Sequence, residues 1–127
     1  MVMLNDIEMA LRAVQSTQAA IRSLSLEQTE GWRTEIVRQR RALSECFSRL
    51  FQLADEWTPP HEVAAAFGEF RRMLPRVRSA IAFHQASWPA VCLDTSSSDY
   101  LRSLEQVRAR SSELEEAFGR VLSTVAG

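Results

Sequence analysis

The stretch Ala82–Asp94, AFHQASWPAVCLD, places His84, Trp88 and Cys92 within nine positions of one another. An imidazole can act as general base or phosphoryl acceptor, and a thiolate is a nucleophile. A cysteine–histidine pair also needs a third group to orient the base. None is identifiable here, and Pro89 forces a change of direction between the two. His84 falls at a core-facing step between Ile81 and Trp88. It is therefore expected to bury its ring near a helix end and to hydrogen-bond through one nitrogen. Cys46 and Cys92 are too few and too far apart for a disulfide framework or a zinc motif, and are expected to be buried apolar fillers, with Cys92 anchoring its connection.

The sharper alternative for His84 is a phosphotransfer histidine in a signalling bundle. Such domains carry an exposed histidine followed closely by a lysine and a small residue, whereas Gln85, Ala86, Ser87 and Trp88 follow here. His61 with Glu62 lies just after Pro60, where an acid suits the positive end of a helix. No Glu-x-x-His pairs exist for a di-metal bundle. All fifteen cations are arginines, so every lysine-dependent site is excluded, and the bias is that of a GC-rich bacterial genome. No catalytic residue, cofactor or metal site is expected.

Fifteen cations against sixteen acids leave a net charge of −1, which provides no general field for nucleic acid or an anionic membrane. Arg38, Arg40 and Arg41, and Arg71, Arg72, Arg76 and Arg78, form two clusters interspersed with acids such as Glu35 and Glu69. Most are expected to be solvated. Arg40, at a core-phase step, should pair with a carboxylate or pack its stem at an edge. Without a basic leader followed by an apolar run, and without an eighteen-residue apolar window, a cytoplasmic location and no membrane span are expected.

With 127 residues the chain is expected to be one domain, 1–127, burying roughly two thirds of its unfolded surface. Apolar residues recur at spacings of three and four, and β-branched runs are absent. Leu4, Ile7, Leu11, Val14, Ile21 and Leu24 define a first helix over 6–24, capped by Asn5 with Glu8. Ser25 with Gln28 is expected to cap a second, over 26–57, with face Ile36, Leu43, Phe47, Leu50, Ala54 and Trp57; Gly31 in its first turns could delay the start. Pro59 and Pro60 open a third helix whose face, Val63, Phe67, Phe70, Leu74, Val77, Ile81, His84 and Trp88, keeps phase across Pro75, which predicts a kink there, with a split into two separate helices as the alternative. Trp88 and Pro89 should lock its end against the fourth helix. Val91 and Leu93 read as an extended tether, and a fourth helix over 98–125 follows, with Tyr100, Leu104, Val107, Leu114, Phe118, Val121 and Val125 inward. The fold expected is all-α, an antiparallel up-and-down bundle of four helices with helix 1 short and helix 3 kinked.

The first fifty residues, with Leu24-Ser25-Leu26-Glu27 and then Arg38-Gln39-Arg40-Arg41-Ala42-Leu43, resemble the helix-turn-helix opening of bacterial flagellar type III export chaperones. The resemblance implies a small non-enzymatic protein that shields the helix of an export substrate. A first helix of about 28 Å beside others of about 42–48 Å would leave one end of the bundle uncovered. Phe47, Phe51, Trp57, Phe67, Phe70 and Phe118 are expected there as an aromatic groove for a partner's amphipathic helix or a second copy. The function expected is a non-enzymatic protein-interaction module, acting as chaperone, adaptor or regulator. The alternatives are the His84 signalling bundle and a purely structural homodimer.

Overall fold

A computed structural model describes the backbone of residues 1–127 and every side chain but that of Cys92, so the expectation for Cys92 lies outside the described residues. The chain forms four helices, α1 Leu4–Glu27, α2 Trp32–Glu56, α3 Ala64–Ser87 and α4 Ser98–Ala126, with 3-10 turns at His61–Val63 and Ala90–Cys92. There is no strand among the described residues. The chain is all-α as expected. By contact it divides into two compact units, Met1–Trp57 with Trp88–Thr95, and Thr58–Ser87 with Ser96–Gly127.

In the first unit α1 and α2 pack as a hairpin through Ile7, Ala10, Leu11 and Val14 on one side and Ile36, Leu43, Phe47, Leu50, Leu53 and Ala54 on the other. Helix α1 is not short. It has 24 residues against 25 in α2, 24 in α3 and 29 in α4, so the large mismatch with all three expected from its sequence is absent. Two local interactions lengthen it. Asp6, rather than Glu8, closes the N-terminus by accepting the Met3 N–H at 2.8 Å, while Glu8 pairs with Arg12 at 3.3 Å. At the other end Ser25 does not cap α2; it stays helical and donates to the Ile21 carbonyl at 3.0 Å.

The turn between these helices explains where α2 starts. Gln28 ends α1 in the left-handed region, with φ 50°, and its side-chain amide donates to the Ser25 carbonyl at 3.1 Å and the Thr95 hydroxyl at 2.7 Å. Gly31 follows with φ 76° as the N-cap of α2. Two left-handed residues reverse the chain, and glycine occupies the second because it has no Cβ penalty there. Helix α2 thus begins at Trp32, six residues later than the capping pattern at Ser25 indicates.

The segment Trp88–Thr95 completes this unit. It is not an extended tether: the 3-10 turn puts Ala90 and Leu93 on one side, both buried, and leaves Val91 exposed. Arg33 donates to the Leu93 carbonyl at 3.2 Å while lying 4.5 Å from the Trp32 ring centroid. Trp88 is half-buried and belongs with this unit; it does not extend the face of α3.

In the second unit α3 and α4 form an antiparallel hairpin, since early residues of one meet late residues of the other. Glu69 meets Arg120 at 3.0 Å and Phe70 meets Phe118 at 5.1 Å between centroids, while His84 meets Ser103. Val63, in the 3-10 turn before α3, is buried with them. Helix α3 runs unbroken through Pro75, which excludes two separate helices. Ser97 caps α4 by accepting the Tyr100 N–H at 3.5 Å. Val125, expected inward, is exposed in the last turn.

Glycine and proline positions give three expected outcomes. Gly31→Ala forces a Cβ into the left-handed region and should destabilise by about 1–2 kcal/mol. Gly119→Ala, in the interior of α4 where an added Cβ meets nothing within 4 Å, should stabilise by about 0.5–1 kcal/mol. Chemical denaturation of the pair checks the opposite signs. Pro75→Ala restores an N–H for the Arg71 carbonyl at an exposed site and should raise stability by about 1–3 kcal/mol; a lower midpoint would show that proline is required in α3.

Candidate functional site

His84 is 8% exposed, and its Nδ1 lies 2.7 Å from the Ser103 hydroxyl. Its ring packs at 5.4 Å and 46° against Tyr100. These contacts follow from phase: Ile81 and His84 continue the apolar stripe of α3, and the antiparallel register brings the first turns of α4 against its end. No buried side-chain nitrogen or oxygen among the described residues lacks a partner. The sequence located His84 correctly. The Ser103 contact engages Nδ1, so phosphoryl transfer to that nitrogen would have to displace the hydroxyl.

The expected aromatic groove is redistributed. Phe67 stacks on Phe70 at 5.8 Å, and Phe70 tilts against Phe118, all three buried in the α3–α4 core. Phe47 is buried in the α1–α2 core. Phe51 and Trp57 are half-buried. Only the latter two retain surface, because Phe47 is claimed by the α1–α2 core and Phe67, Phe70 and Phe118 by the α3–α4 core.

A different concavity lies along α3 and α4. It is open to solvent, with a volume of about 390 Å³, and is lined by Arg76, Ser79, Ala80 and Phe83 from α3 and Ser103, Gln106 and Arg110 from α4. Phe83 is 69% exposed. It lies off the apolar stripe of α3: the core steps are Ile81 and His84, so Phe83 points away from the core. That phase mismatch was the available signal, and the cluster of the other five phenylalanines concealed it. Ser103 joins the buried imidazole to the groove, half-buried itself. The two arginine clusters lie on helices of different units, and of their members only Arg76 lines this groove. Arg38 pairs with Glu35 at 2.9 Å, and Arg40 is half-buried, as its core phase requires.

No set of three His, Cys, Asp or Glu side chains that could hold a metal occurs among the described residues. No helix among them is long and apolar enough to cross a membrane. Compared with protein-family models, curated proteins and solved structures, the chain has no match.

If His84 is structural, His84→Leu should keep the fold and shift stability by less than about 1.5 kcal/mol, because Ser103 can turn its hydroxyl to water in the groove. Incubation with acetyl phosphate should leave the wild type without acid-labile phosphate. Labelling lost in His84→Ala would reverse the assignment.

Proposed function

We propose that the chain is a non-enzymatic protein-interaction module, acting as chaperone, adaptor or regulator, that holds a partner segment along the α3–α4 groove. The observation that carries this is Phe83, a large aromatic ring left 69% exposed in a concave surface that Arg76 and Arg110 also line. Fully burying such a side chain contributes about 1.5–3 kcal/mol, and aromatic and arginine anchors dominate binding at protein interfaces. The spacings Arg76, Ala80, Phe83 and Ser103, Gln106, Arg110 advance by three and four residues. They form two rails that an amphipathic helix can follow. The chaperone form of this proposal is supported by the resemblance carried by the first fifty residues.

Phe83→Asp tests it. The side chain contributes little to the core, so the thermal midpoint should stay within a few degrees of the wild type. Capture of partner from host extract, and any self-association measured by sedimentation, should be lost. A folded Phe83→Asp variant that retains the same partner would place binding elsewhere.

A further inference from the structure

The groove is chemically polarised. In the antiparallel register fixed by Glu69 with Arg120 and His84 with Ser103, Arg76 and Arg110 lie at one end, and Phe83 and Ser103 at the other. The two ends are seven residues apart on each helix, or about 10 Å, two helical turns. No carboxylate lines the space. The sequence on the α3 side accentuates this, since residues 70–93 contain four arginines and no acid. Arg76 has no partner among the described residues. Arg110 binds Glu113 through Nη1 alone, at 3.2 Å to each oxygen, which leaves Nη2 and Nε as donors.

The geometry points to an acidic amphipathic helix of a partner protein as the occupant, with an apolar residue on Phe83 and carboxylates about two turns away on Arg76 and Arg110. This rests on the interaction-module proposal and specifies its ligand. A partner carboxylate at this end can form charge-assisted hydrogen bonds with Arg76 and with the Nη2 and Nε donors that Glu113 leaves open on Arg110. A nucleic-acid strand is the rival polyanion. It is disfavoured because α4 carries Glu105, Glu113, Glu115 and Glu116 and the whole chain is weakly acidic, so a continuous row of phosphates meets repulsion that spaced carboxylates avoid.

The test uses the full chain and fluorescent synthetic helices of about four turns, each with a leucine and phenylalanine stripe. In one, glutamates lie two turns from the apolar anchor; in the others, the same positions carry glutamine or lysine, or the glutamates sit beside the anchor. The correctly spaced acidic helix should bind best, and binding should weaken as salt rises. The glutamine helix should bind roughly 2- to 30-fold less tightly, the span expected for two surface ion pairs. Arg76→Glu with Arg110→Glu should reverse the preference towards lysine, with Arg76→Gln and Arg110→Gln as the milder pair if the reversal perturbs folding. Equal binding of all helices that Phe83→Asp abolishes overturns the acidic specificity while supporting the module. Acidic-helix binding that survives Phe83→Asp overturns the groove itself. No binding by any helix, or tighter binding of a single-stranded oligonucleotide of equal charge, overturns the proposed partner.

Discussion

Each helix in this chain is stable only while its apolar stripe is covered. In a folded protein, packing of the amphipathic face rather than intrinsic propensity supplies most of what holds a helix. The covering is done by sequence neighbours: α1 covers α2, and α3 covers α4. Everything else is placed by that constraint. The left-handed pair Gln28 and Gly31 lets α1 fold back onto α2, and the segment Trp88–Thr95 closes against the start of α2 through Arg33 and Gln28.

In the second hairpin the same constraint uses two kinds of contact. At one end the Phe67, Phe70 and Phe118 rings pack at 5.1–5.8 Å, each pair contributing about 0.5–1.5 kcal/mol beyond burial. At the other end a polar ring is buried, and the Ser103 hydroxyl at 2.7 Å satisfies it. Leaving a buried polar group unmatched costs about 1–3 kcal/mol, so this pair opposes a slip of α4 along α3. The register it favours brings Phe83 and Arg76 alongside Ser103, Gln106 and Arg110. The groove is thus what remains after the core stripes have been matched.

The apolar periodicity made the four helices and most of the core legible: Ile7, Leu43, Leu74 and Leu114 lie inward as their phase requires. Ends were less legible, because they depend on interactions that periodicity does not carry. Ser25 with Gln28 has the pattern of a cap, yet the backbone freedom of Gly31 decided where α2 begins. Pairing was less legible still. The aromatic count near the α2–α3 connection pointed to an open face, but burial depends on which helices meet. Phe83 was visible as an out-of-phase residue, and its significance required the α4 residues brought beside it.

Binding of a partner helix in the α3–α4 groove is the proposal on which the function rests. Amide chemical-shift mapping during titration with the correctly spaced acidic helix addresses it residue by residue. Perturbations concentrated at 76–83 and 103–110, with the indole signals of Trp32 and Trp57 unmoved, are the expected result. Shifts centred on α1 and α2, or around Phe51 and Trp57, would contradict the account.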